Sequence, residues 1–113
     1  MKHYEITSIL KPDLTENAIK ELINNIEKNI KDIGGNIVDK ENWGHRDLAY
    51  PIKNNKKGYY IFLQVDVNGD NLDTFRNFSN LNENIIRYLI INVEEHEKLP
   101  TAMAKIDKEN EEK

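Results

Sequence analysis

Cysteine is absent from the 113 residues, proline occurs three times, glycine five times and tryptophan once. Without cysteine there is no disulfide, no thiol nucleophile and no thiolate-held zinc or iron–sulfur centre, and the composition suits an intracellular setting. The glycines stand at 34, 35, 44, 58 and 69, too dispersed for a nucleotide-binding fingerprint. No run approaches the 18 or so apolar residues of a membrane span. The first residues hold Glu5, Lys11, Asp13 and Glu16 with no apolar stretch of signal-peptide length, so secretion is not expected. Nor is there a large excess of positive charge: the formal net charge is −4, which excludes a strongly basic coat for nucleic acid.

Candidate catalytic groups are equally sparse. Ser8 and Ser79 are the only serines, and neither sits in a nucleophile-elbow context. His3, His45 and His96 are scattered, with no second histidine at i+2 or i+4. His3 reads as a solvated strand residue. His96 reads as a surface histidine among Glu94, Glu95 and Glu97, acids that favour its protonated form. No metal site, no cofactor and no enzymatic activity are expected.

The length supports one domain with one modest core, and 38% hydrophobic with 32% charged residues fits a globular chain. Sixteen asparagines and fifteen isoleucines have the pattern of AT-rich codon bias, so the asparagines carry little chemical weight. Charge is unevenly divided. Residues 94–113 hold seven acids against four lysines, a net of −3, and the remainder is nearly neutral. Periodicity fails after Glu95. The reading is a folded domain over 1–96 and an acidic tail over 97–113, expected to be disordered when the protein is alone.

Within the domain, Tyr4, Ile6, Ser8 and Leu10 alternate with residues that are also partly apolar, which suits an interior strand over 3–10. A helix follows, with Asp13 or Thr15 as its cap and Asp13 and Glu16 at capping-box spacing. Ala18, Ile19, Leu22, Ile23, Ile26, Ile30 and Ile33 form its apolar stripe, and Gly34-Gly35 ends it. Residues 36–50 form a long extended segment in which Gly44 marks a bulge or close approach. Pro51 to Lys57 is a polar connection, and Gly58 restarts a strand. Tyr59, Ile61, Leu63, Val65 and Val67 supply its core face; Tyr60, Phe62, Gln64 and Asp66 point the other way. Asn68-Gly69-Asp70 is a turn, with Asp70 or Asn71 capping a short helix striped by Leu72, Phe75, Phe78 and Leu81. A last, almost continuously apolar strand spans 85–93. The order βαββαβ predicts an α+β, ferredoxin-like sandwich: a four-stranded antiparallel sheet with two helices on one face and the other face open.

That open face is the informative surface. Tyr60 and Phe62 admit three readings: packing beneath Trp43 or the tail, contact with a protein, or stacking on bases. Lys53, Lys56 and Lys57 lie close together, with Arg46 and Lys40 upstream. A local basic patch can bind phosphate despite an acidic total, and an arginine fork matches phosphate geometry.

The segment Trp43-Gly44-His45-Arg46-Asp47-Leu48-Ala49-Tyr50-Pro51-Ile52, followed by Gly58-Tyr59-Tyr60, resembles the bacterial-type small-subunit ribosomal protein six family, with its G-x-R-x-L-A-Y-P-I run before a G-Y strand. Tyr4-Glu5, Gly34-Gly35 and Asn84-Ile85-Ile86-Arg87 match as well, so the resemblance covers roughly residues 2–95. It implies a structural component of the small ribosomal subunit. Such a protein binds the central domain of small-subunit ribosomal RNA together with small-subunit ribosomal protein eighteen, and needs no cofactor, membrane or DNA. The setting would be a cytoplasmic ribosome if bacterial, or an organellar one if organelle-derived. By the same resemblance Arg46 and Arg87 join Lys53, Lys56 and Lys57 as RNA contacts, Tyr50 and Pro51 shape a strand end, and Tyr4 and Leu48 are structural; Tyr60 and Phe62 are assigned to the protein interface because an open apolar face can bury area against a protein without base readout. Asp47 departs from the basic or amide residue often found there. A carboxylate would repel phosphate, so it is expected to face a lysine or a basic group on the partner.

Overall fold

The structure, a computed structural model, describes residues 1–96; the tail expected over 97–113 lies outside the described residues. Strand β1 (Lys2–Leu10) leads to helix α1 (Glu16–Asp32), the long strands β2 (Asn36–Ile52) and β3 (Asn55–Val67), helix α2 (Leu72–Leu81) and strand β4 (Ile85–Val93). The four strands form one antiparallel sheet in the order β2-β3-β1-β4, so β1 is interior, as its two apolar faces require.

Both helices lie on one face. Ile19, Leu22, Ile26 and Ile30 of α1 and Leu72 and Phe75 of α2 pack onto Tyr4, Ile6, Leu10, Ile61, Leu63, Val65, Val67 and Ile85. Ala18 and Phe78 are half-buried at the margin. Leu81 does not join the stripe; it is 83% exposed, since it ends α2 beyond the sheet it would have to cover.

Local signals fix the helix ends, partly through residues other than those expected. Thr15, not Asp13, caps α1: its hydroxyl accepts from the Ala18 amide at 3.2 Å. At the other end Gly34 takes φ +83°, and the Gly34 and Gly35 amides donate back to the carbonyls of Lys31 and Ile30. The turn before α2 is a 3-10 turn over Gly69–Asn71 capped by Asn68, whose side chain accepts from the Asp70 amide. Asn71 does not cap α2; its amide donates instead to the Ile33 carbonyl at 2.9 Å, joining the end of α1 to the start of α2.

The largest departure concerns the connection expected over Pro51–Lys57. β2 runs on through Ile52, β3 begins at Asn55, and only Lys53 and Asn54 form the turn. Both take positive φ, 49° and 68°, the handedness of a two-residue hairpin turn that follows strand twist. The Asn55 amide secures it by donating to the carbonyls of Ile52 and Lys53. Sequence polarity suggested a loop, but the register puts two of its three lysines on a strand.

Candidate functional site

The open face is built from alternate residues of all four strands: Thr7 and Ile9 of β1, Tyr60, Phe62 and Gln64 of β3, and Arg87, Leu89 and Ile91 of β4, placed there by register. Strand β2 adds an aromatic roof through a bulge. Asn42 pairs with Ile61 and Gly44 with Tyr60, which leaves Trp43 as the extra residue. Gly44 takes φ +74° and its amide donates to the Asn42 side chain, so the glycine marks the bulge that its position suggested. The Trp43 indole turns onto the sheet, stacked on Phe62 at 5.2 Å and on Tyr60 at 6.2 Å, and its Nε1 donates to Glu41 Oε1 at 3.0 Å.

This roof separates the two aromatics assigned to the interface. Phe62 is 5% exposed beneath Trp43, whereas Tyr60 remains half-exposed. Packing under Trp43, one of the three readings of the pair, therefore describes Phe62 in this chain. Sequence reasoning passed over more accessible apolar groups on this face, Leu89 and Ile91, which are 55% and 48% exposed. Their signal was present in β4, which is apolar on both faces although one face alone meets the helices.

The far end of the β2–β3 hairpin bends across the sheet. β2 and β4 occupy opposite edges, yet Arg87 Nη1 donates to the Tyr50 hydroxyl at 2.9 Å. Beneath this crossing lies a cavity of about 420 Å³ bordered by Ile9, Trp43, Leu48, Tyr50, Tyr60 and Leu89, among others. Gly58 permits the approach: a Cβ there would collide with the Ile9 side chain and touch Leu48.

The basic residues surround this apolar floor unevenly. The Arg46 guanidinium lies 5.6 Å from the centre of the Trp43 ring, a cation–π distance, and the residue is half-buried. Arg87 is exposed; its bond to Tyr50 raises its pKa above the ordinary value and orients a guanidinium that is cationic in any case. Lys53 sits exposed at the turn, beside Ser79, Asn80 and Arg87. Strand alternation puts Lys56 on the face of Tyr60 and Lys57 on the opposite one. Lys57 meets its register partner Asp47 at 3.9 Å, so the acid that departs from the family pattern does face a lysine. Arg46, Lys56 and Arg87 thus share the hairpin end of the open face, Lys53 sits at the turn beside the end of α2, and Lys57 lies behind.

At the opposite end of the same face, the histidines expected to be isolated meet. His3 Nδ1 donates to Asp66 Oδ1 at 2.5 Å and His96 Nε2 to the same oxygen at 2.8 Å. The His96 side chain is only 12% exposed, which corrects its reading as a surface group. The hydrogen bond from His3, with help from His96 and against the cost of burial, holds the Asp66 pKa below its ordinary 3.8.

Comparison with known proteins agrees with this architecture. The family described as Ribosomal protein S6 matches residues 3–92. The chain is 42% identical over 105 residues to the small ribosomal subunit protein bS6 of Rickettsia felis, covering 93% of this chain and 87% of that protein. It is 40% identical over 110 residues to the bS6 protein of Blochmanniella floridana, covering 97% and 91%. The crystal structure of 30S ribosomal protein S6 from Thermotoga maritima superposes with a TM-score of 0.79 at 25% identity, covering 98% of this chain and 95% of that one. With the fold, the strand order and the motif run through β2 and β3 all in agreement, the chain belongs to the ribosomal protein S6 family of the bacterial-type small ribosomal subunit.

Proposed function

We propose that this structural component of the small ribosomal subunit binds the central domain of small-subunit ribosomal RNA together with small-subunit ribosomal protein eighteen. The observation that carries the proposal is the two-part surface at the hairpin end of the open face. An apolar floor of Trp43, Tyr60 and Leu89 is bordered by Arg87, with Arg46 against the Trp43 ring and the exposed Lys53 and Lys56 farther out on the hairpin. The floor suits a protein, because apolar area can be buried there without base readout. The cations suit phosphate, Arg87 most of all, since it is exposed and already oriented by Tyr50. Tyr60 meets the partner directly, and Phe62 supports it by holding the Trp43 ring in place. Lys57 contributes less, because Asp47 offsets its charge. The work is done on the ribosome, in the cytoplasm of a bacterial cell or within an organelle; no catalytic step, cofactor, membrane or DNA is part of it.

A two-stage titration tests this: first the partner protein, then central-domain RNA, at several salt concentrations. Replacing Arg46 or Arg87 with Gln is expected to weaken the ternary complex and make the salt slope shallower by about one counterion per lost phosphate contact. Tyr60→Ala is expected to weaken the protein heterodimer first. Unchanged ternary affinity and salt slope in both folded arginine variants would remove the phosphate role, and an unchanged heterodimer in the Tyr60 variant would remove the protein-contact role.

A further inference from the structure

We infer that His3, Asp66 and His96 form a binding site for a zinc-class divalent transition-metal ion, at the end of the sheet remote from the β2–β3 hairpin. Their ligand atoms come from two neighbouring strands and from the segment that follows a third. His3 on β1 is the register partner of Asp66 on β3 and of Val93 on β4, and the chain just past Val93 brings in His96. All three atoms lie within 4.8 Å of one another, with both imidazoles on one carboxylate oxygen and the two rings edge to face at 4.9 Å.

The donor set selects the metal. Two imidazole nitrogens and one carboxylate suit zinc and its neighbours, whereas magnesium and calcium favour all-oxygen sites. Three protein ligands also leave a fourth position for water, as in open zinc sites. Metal–ligand bonds of about 2.0–2.1 Å in a tetrahedron separate the ligand atoms by roughly 3.3 Å. The present contacts at 2.5 and 2.8 Å therefore need only small side-chain rotations to admit an ion. The proton that each imidazole directs at Asp66 must then move to the other ring nitrogen or leave to buffer. His3, at 43% side-chain exposure, gives the ion an entry route through an adjoining opening whose rim carries Glu94 and, against it, Lys2.

The surroundings also limit affinity. Among the described residues the His96 Nδ1 atom is buried without a hydrogen-bond partner, so none of them gives this ligand the outer-shell acceptor that usually strengthens a metal-bound imidazole. Loss of such a partner typically costs 10–100-fold in metal affinity. A bound ion would clamp the ends of β1 and β3 to the segment that leaves β4.

The test uses the full chain, stripped of metal and nitrogen-labelled, titrated with Zn²⁺ while the imidazole nitrogens are followed by NMR. One equivalent is expected to shift His3 Nδ1 and His96 Nε2 and leave His45 unmoved. Co²⁺ is expected to give the strong visible absorption of a four-coordinate site. His3→Gln and Asp66→Asn should each weaken Zn²⁺ binding by more than about 10-fold, and His45→Gln should not change it. Unshifted His3 and His96 nitrogens in the unmodified chain would overturn the inference and leave a purely hydrogen-bonded clasp. Zn²⁺ binding that survives both ligand variants would overturn it too, by placing the ion on other acids. Because the readout involves neither RNA nor a partner protein, its outcome is independent of the ribosomal role.

Discussion

The two faces of the sheet are made by the same strands, yet they bury their apolar groups by different means. On one face Ile6, Leu63 and Val65 lie under two amphipathic helices, with Phe75 of α2 packed onto them, and all four are essentially inaccessible. On the other, among the described residues, the Trp43 side chain covers Phe62, the hairpin end covers part of the rest, and Leu89 and Ile91 stay exposed. The closed face needs only correct periodicity, since any helix with a sufficient apolar stripe will occupy it. The open face depends on one bulge, one glycine and one tyrosine–arginine contact, each placed by register. The first arrangement stabilises the fold, and the second keeps apolar and cationic groups within reach of a partner.

If that contrast is correct, truncating a ring on each face should have unequal consequences. Phe75→Ala is expected to cost about 3–5 kcal/mol, the range for a buried aromatic that leaves a cavity. Trp43→Ala is expected to cost about 1–3 kcal/mol, since its half-buried ring loses a stack and partial burial. Chemical denaturation of both variants measures the difference; equal losses would make the open face a second core.

Gly58→Ala examines the hairpin crossing. The new methyl group would push against Ile9, with an expected cost of about 1–3 kcal/mol from overpacking. The same variant should also weaken the heterodimer, because the crossing borders the proposed contact floor. A destabilised variant with unchanged heterodimer affinity would separate the crossing from partner binding.

Thr15→Ala acts on the closed side and should cost about 1 kcal/mol by removing the cap of α1. Heterodimer and RNA affinity should not change, because the cap touches only the helix. A binding defect in this folded variant would break the division of labour between the faces.

The smallest effect is expected at Asp66. Its pKa is lower folded than unfolded, so its contribution to stability is complete above the ordinary value of 3.8 and is lost as pH falls through the lower folded value. In buffer containing a chelator, Asp66→Asn should therefore flatten the dependence of unfolding free energy on pH within that acid window. An unaltered acid slope would show that the His3 and His96 contacts do not persist in solution.

Much of this was legible in the residues themselves. Alternation in β1 and β3, the three- and four-residue spacing in α1, and the glycines after it are local patterns, and local patterns fix which face of an element is apolar and where the element stops. Six such elements in this order leave few topologies, and the run from Trp43 to Tyr60 is specific enough to name a family. The sequence also marked Gly44 as a bulge and Asp47 as a residue in search of a cation. Tertiary structure alone decided the rest. The hairpin turn shrank to Lys53 and Asn54 because cross-strand hydrogen bonding outweighs the polarity of the lysines beside it. Phe62 passed beneath Trp43 because a single extra residue between Asn42 and Gly44 rotates the indole onto the sheet. His3, Asp66 and His96 converged although they are far apart in the chain, because antiparallel register carries positions 3 and 66 to the same rung and the end of β4 returns there. Periodicity reports the direction of a side chain relative to its own strand; which distant side chain it meets depends on register and strand order, which no single segment encodes.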